Sequence, residues 1–151
     1  MSKIQRERIS DLFSFLDRSI TPFHAAVEIE NRLSAAAYPK LDLRKLRSDE
    51  LREHQRAQFS FNQQAVFAYR RGSQGLRAGL RIFVAHNDSP ALQIKACPMQ
   101  AVEDYYLAET SIYGGPILQS YFDLPLGVAG RVFYRDNAGK IANQLIQLSA
   151  P

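Results

Sequence analysis

A largely apolar run over residues 80–85 leads without a break into His86-Asn87-Asp88-Ser89-Pro90. A run of this length reads as a buried strand. Pro90 has no backbone N–H and ends ladder pairing there. In α/β folds, chemistry gathers where strands end and loops begin. Strand side chains repeat with period two, so His86 and Asp88 point the same way. A His with a carboxylate two positions on suits a metal ligand and the group that orients it. The same spacing also reads as a His capping a strand end and an Asp opening a turn.

The segments before this run predict helices. Ile9, Leu12, Phe13 and Leu16 fall at i, i+3, i+4 and i+7, one face of an amphipathic helix over residues 4–18. Thr21 suits an N-cap and Pro22 the first helical position, so a second helix is expected to about Ala37. Ala26, Ile29, Leu33 and Ala37 would form its buried stripe. Tyr38-Pro39 ends it, because a residue before proline avoids the helical region. His24, in the first turn, reads as a packed or capping residue. His54, among Arg52, Glu53, Gln55 and Arg56, reads as exposed. Leu43, Leu46 and Leu51 mark at most a short helix.

Strands follow. Residues 59–61 and 65–69 read as a strand pair, and residues 91–95 as a half-buried strand closed by Pro98. Residues 127–134 and 141–148 read as further strands around an Asp136-Asn137-Ala138-Gly139-Lys140 turn. The chain thus passes from helical to β-rich, with the change near residues 98–104.

Bulk properties bound the function. A chain of 151 residues fits one ordinary domain. One cysteine, Cys97, excludes an internal disulfide and a cysteine-based zinc site. Any metal must be held by His and carboxylates. No apolar run is long enough to span a membrane, and the charged start is not followed by a signal-peptide core. A cytoplasmic protein without membrane association is expected. The net charge of +4 is spread out, and its one local excess, residues 44–56, is interrupted by Asp49, Glu50 and Glu53. No aromatic residues interleave with it, so nucleic acid is not an expected partner.

Four strings, in register, carry a resemblance. Thr21-Pro22-Phe23-His24-Ala25, Val84-Ala85-His86-Asn87-Asp88-Ser89-Pro90, Tyr113-Gly114-Gly115 and the stretch from Phe122 to Val132 resemble motifs of the aspartyl aminopeptidase and aminopeptidase I family of zinc metallopeptidases. Asn87 stands where the family usually has Thr. Leu124-Pro125 and the charged residues 41–57 also depart from its pattern, and the chain has no Trp. The resemblance implies an α/β fold: residues 1–98 as the first part of the metallopeptidase catalytic domain, residues 99–151 as the start of an inserted β-rich oligomerisation domain. It implies removal of N-terminal residues from peptides by metal-activated water, with a two-zinc site that other divalent metals could fill. His86 matches the family's first metal ligand. Asp88 matches its catalytic carboxylate, which orients that His. A homo-oligomer is implied for the full-length protein.

The resemblance reaches only the N-terminal third of such an enzyme. No His follows His86, and the carboxylates after Asp88 are Glu103, Asp104, Glu109, Asp123 and Asp136, with no Glu-Glu pair. The remaining ligands and the general base have no counterpart here. Two expectations follow: the chain is the N-terminal piece of a metalloaminopeptidase and inactive alone, or it is a natural truncated homologue that acts as a non-catalytic assembly module.

Overall fold

The computed structural model describes residues 2–45, 47, 50–75 and 78–148. Helix α1 (Lys3–Arg18) starts in a capping box: Ser2 Oγ accepts from the Gln5 N–H at 3.2 Å and Gln5 Oε1 accepts from the Ser2 N–H at 2.8 Å. Helix α2 (Pro22–Ala35) starts at Thr21 with Pro22 in its first turn, as the sequence predicts. It ends two residues earlier than expected. Ala37 turns left-handed at φ 60°, and the Tyr38 and Ala37 N–H groups close on the Leu33 and Ser34 carbonyls, both at 2.9 Å. This closure places Ala37 outside the helix and leaves it exposed, so the buried face is Ala25, Ala26 and Glu28, with Ile29 and Leu33 half-buried.

Arg32 joins the two helices. Its Nε donates to Glu28 Oε1 at 2.8 Å and its Nη1 to Asp11 Oδ2 at 2.9 Å. The apolar stripe of α1 has the expected period but a different setting. Ile9, Leu12, Phe13 and Leu16 are between 41% and 59% exposed. Periodicity decides which residues share a face; what covers the face depends on the rest of the fold, and no described residue covers this one fully.

Strands β1 (Arg56–Phe61) and β2 (Ala65–Arg70) form an antiparallel hairpin with Phe59 opposite Phe67, their rings stacked at 5.2 Å. Asn62 and Gln63 both have positive φ, and the Gln64 N–H donates to the Phe61 carbonyl at 3.0 Å. This is the primed turn geometry that matches strand twist. Ala57 and Gln58 of β1 are fully buried against α2 and the chain that follows it. The Gln58 Nε2 faces the Glu30 carbonyl at 3.1 Å, Ser34 Oγ at 2.9 Å and the Tyr38 carbonyl at 3.0 Å. Its backbone N–H donates to the Pro39 carbonyl and its own carbonyl accepts from Leu41. One residue therefore joins β1 to the whole C-terminal end of α2.

The stretch from 41 to 55 holds a turn over residues 43–45 and a short helix α3 (Glu50–Glu53). Leu46, expected on an apolar stripe, lies outside the described residues. His54 is half-buried rather than exposed.

Residues 80–85 correct the sequence expectation. They form no strand. Ile82 is 76% exposed, Phe83 92% and Val84 89%. An apolar pattern states that a segment suits burial; a strand also needs a neighbour to take its N–H and C=O groups. Among the named strands each pairs only with its own hairpin partner, and β1 has one further bridge, to Lys40. None of them pairs with this segment.

Strands β3 (Ala91–Val102) and β4 (Tyr105–Tyr113) form a second hairpin. Pro98 does not close β3. The register shifts between Ile94 and Met99, Cys97 takes φ 54°, and Pro98 sits in this unpaired bulge, where its missing N–H costs no ladder bond. The compositional change near residues 98–104 thus lies inside one hairpin. Strands β5 (Val128–Arg135) and β6 (Ile141–Leu148) form the third hairpin, close to the expected bounds. Asp136 Oδ1 accepts from the Ala138 and Lys140 N–H groups at 2.9 and 2.8 Å, and Gly139 supplies φ 75°. Two helices followed by antiparallel pairs make an α/β chain.

Replacing Gln58 with Glu turns a donor into a carboxylate facing two carbonyls. Loss of a buried partner of this kind costs about 1–3 kcal/mol. The Gln58→Glu chain is expected to unfold at clearly lower urea than wild type, read by circular dichroism.

Candidate metal-binding site

Three elements converge on the loop that carries His86. The first is the start of α2, where Pro22 opens the helix. The second is the β1–β2 turn, whose Gln64 carbonyl accepts from Asn87 Nδ2 at 2.7 Å. The third is the end of β4. Pro22, Gln64, Asn87, Asp88 and Tyr113 line one cavity of about 250 Å³. Residues far apart in sequence meet here because both hairpins have their ends at this point.

Arg131 closes the same region from β5. Its guanidinium lies 4.3 Å from the Phe23 ring centre and 5.0 Å from that of Phe133. Its Nη1 donates to the Asn62 carbonyl at 3.0 Å and to Gln63 Oε1 at 3.2 Å. The planar cation thus ties α2, the β1–β2 turn and β5 together.

His86 projects from the loop with its side chain 84% exposed. Its Nδ1 lies 2.9 Å from the Asp88 backbone carbonyl and 3.4 Å from Asp88 Oδ1. A carbonyl only accepts, so this contact puts the ring proton on Nδ1 and leaves the Nε2 lone pair outward. That is the arrangement a His ligand needs. The other carboxylate oxygen, Asp88 Oδ2, accepts from the Tyr113 hydroxyl at 2.6 Å. This bond holds the Asp88 carboxyl below its usual range, helped by a backbone N–H and by His86. It raises the Tyr113 phenol in turn, because deprotonation would set two anions side by side.

The two residues singled out by spacing lie side by side, with the imidazole hydrogen-bonded to the Asp88 backbone carbonyl and the carboxylate 3.4 Å away. Among the described residues, no group of three or more His, Cys, Asp or Glu is placed to hold a metal ion. Sequence reasoning named Tyr113 only as part of a string. Asp88 and Tyr113 are 25 positions apart, and only the β3–β4 register, with Ala91 opposite Tyr113, brings them together.

His24 stays apart from this pair. Its Nδ1 lies 2.7 Å from the Oγ1 of Thr21, the residue that caps α2. Burial lowers its pKa from the ordinary value of 6.5.

Residues 15–151 match the family profile described as aminopeptidase I zinc metalloprotease (M18), and the chain belongs to this family of metalloaminopeptidases. A relative in Ectopseudomonas mendocina (strain ymp), "Probable M18 family aminopeptidase 2", is 36% identical over 149 residues, which cover 98% of this chain and 34% of the relative. The protein of the same description in Pseudomonas fluorescens (strain SBW25) is 36% identical over 141 residues, covering 93% of this chain and 32% of the relative. The chain thus spans about a third of the length of these relatives. A chain in the structure described as "Cryo-EM structure of the Ape4 and Nbr1 complex" superposes with a TM-score of 0.75 at 20% identity, over 91% of this chain and 26% of the other. That likeness shows the fold. No helix among the described residues is long and apolar enough to cross a membrane.

The lowered His24 pKa has a definite sign. The folded chain takes up this proton at lower pH than the unfolded chain. The contribution to stability is complete above about pH 6.5 and is lost as pH falls through and below that value. A His24→Gln chain is expected to lose this part of the pH dependence of its urea midpoint between pH 7 and pH 5.

Proposed function

We propose that this chain is the metal-binding start of a metal-dependent aminopeptidase that removes N-terminal residues from peptides. The observation that supports the reading most is the His86 ring, with its Nδ1 against Asp88 and its Nε2 free. In this reading His86 is a zinc ligand of a two-metal site, and Asp88 fixes its tautomer and orientation. Zinc, when bound, supplies a Lewis acid that lowers the pKa of a water to near neutral. The chain's own part is to hold one ligand at a stated atom, Nε2, and to keep a carboxylate beside it.

One His and one Asp bind metal weakly, because tight zinc sites use three or four protein ligands. The remaining ligands and the general base belong, in this proposal, to residues outside these 151. Residues 1–98 then form the first part of the catalytic domain and residues 99–151 the start of a β-rich insert, on the grounds of composition, with the division falling within β3. A soluble cytoplasmic homo-oligomer is the setting that fits the charge pattern and the family. A second reading, a non-catalytic assembly module, draws support from the exposed apolar residues of β4 and of residues 82–84.

A chimera tests the enzymatic reading. This chain replaces the matching third of the Ectopseudomonas mendocina relative, and hydrolysis of aminoacyl-p-nitroanilides is measured beside zinc content. The chimera is expected to turn over substrate, and its His86→Ala form to lose zinc and at least about 100-fold in rate, the upper range for a disturbed metal shell. Unchanged zinc and turnover in His86→Ala would remove His86 from the site.

A further inference from the structure

We propose that Tyr113 is the positioning residue of the His86–Asp88 pair. Its hydroxyl holds Asp88 by the carboxylate, and Asp88 in turn holds the imidazole that presents Nε2, chiefly through its backbone carbonyl. The inference rests on the reading of His86 as a metal ligand.

The geometry divides the carboxylate between two neighbours. Oδ2 accepts from the Tyr113 hydroxyl at 2.6 Å, while Oδ1 lies 3.4 Å from His86 Nδ1, whose hydrogen bond goes to the Asp88 backbone carbonyl at 2.9 Å. An Asp side chain held at one oxygen has its other oxygen placed, so the phenol sets where Oδ1 lies. His86 itself is largely in solvent and its contacts run to Asp88. Without an anchor beyond Asp88, a ring this exposed would sample its rotamers freely. Tyr113 is the side chain from another element that supplies the anchor.

The backbone supports this placing. Tyr113 is the last residue of β4 and lies opposite Ala91, the first of β3. The next residue, Gly114, turns at φ 73°, and a Cβ there would come within 3.4 Å of Pro90 Cα. Tyr121 Oη reaches the Pro90 carbonyl at 3.5 Å. The end of β4 therefore lies against the 88–90 loop from one side, while Asn87 holds the loop to the β1–β2 turn from the other. A rigid strand end is a better mount for a ligand's orienting group than a free loop.

The test uses the isotopically labelled 151-residue chain and zinc ions alone, followed by NMR at the His86 imidazole. Tyr113→Phe keeps the ring and removes the donor. It is expected to weaken zinc binding at His86 by about 10-fold, the usual lower cost of losing an outer-shell partner. Asp88→Asn is expected to cost a similar factor, and the double variant little more than either, because both act through one carboxylate. Equal zinc affinity in wild type and Tyr113→Phe overturns the proposal, as do fully additive losses. A wild-type chain whose His86 takes no zinc contradicts the metal reading instead, and the metal-free spectra then decide on Tyr113. There the wild-type imidazole is expected to hold its proton on Nδ1, and Tyr113→Phe to shift to a mixture of both tautomers; an unchanged ratio overturns the role. If β3–β4 amide shifts show that the phenylalanine variant loses the hairpin, 4-aminophenylalanine at position 113 replaces it. That residue restores a donor, and affinity short of wild type with the hairpin intact counts against the proposal.

Discussion

The buried amide of Gln58 is the contact on which the rest of this chain hangs. A fully buried polar side chain is costly unless its donors are used. Here Nε2 meets three oxygens from the last turns of α2 and the segment beyond it. Those oxygens include the Glu30 and Tyr38 carbonyls. The contact fixes the angle between α2 and β1. That angle decides where the β1–β2 turn arrives, and the turn is what holds Asn87 by its Gln64 carbonyl. An amide in the helix–strand interface thus sets the location of a loop that carries chemistry.

From there the site is assembled by ends rather than by faces. The start of α2, the tip of one hairpin and the open end of another meet around a small cavity. Arg131 seals the junction by stacking on Phe23 and capping the turn's carbonyl at Asn62. None of these contacts buries much apolar surface. They are polar, directional and few, which gives position more than stability. Such a site suits a task in which one imidazole must face outward with a defined tautomer.

The parts legible in the sequence were those decided locally. Thr21-Pro22 announces the start of α2 because capping uses residues within one turn. Asp136 and Gly139 announce the β5–β6 turn for the same reason. His86 and Asp88 stood out because their string is distinctive and their spacing is short. What escaped were relations. Residues 80–85 look like a strand, yet a strand exists only beside a partner. The α1 stripe has the right period, yet its exposure depends on what lies over it. Pro98 looks like a terminator, yet a bulge accommodates it. Tyr113 gained a role only when the β3–β4 register set it opposite Ala91.

That register makes the hairpin a gauge for the site. Strand side chains alternate between faces, so a slip of one residue would carry Tyr113 to the opposite side and leave Asp88 without its phenol. Four paired positions, Ala91 to Ile94 against Thr110 to Tyr113, lie between the site and the bulge. Beyond it the pairing resumes with a changed offset. The bulge therefore works as an expansion joint. Changes of length toward the Val102–Tyr105 tip are absorbed there, while a single deletion in the proximal four pairs is transmitted whole to the carboxylate. Variation in this hairpin is free at one end and chemically constrained at the other.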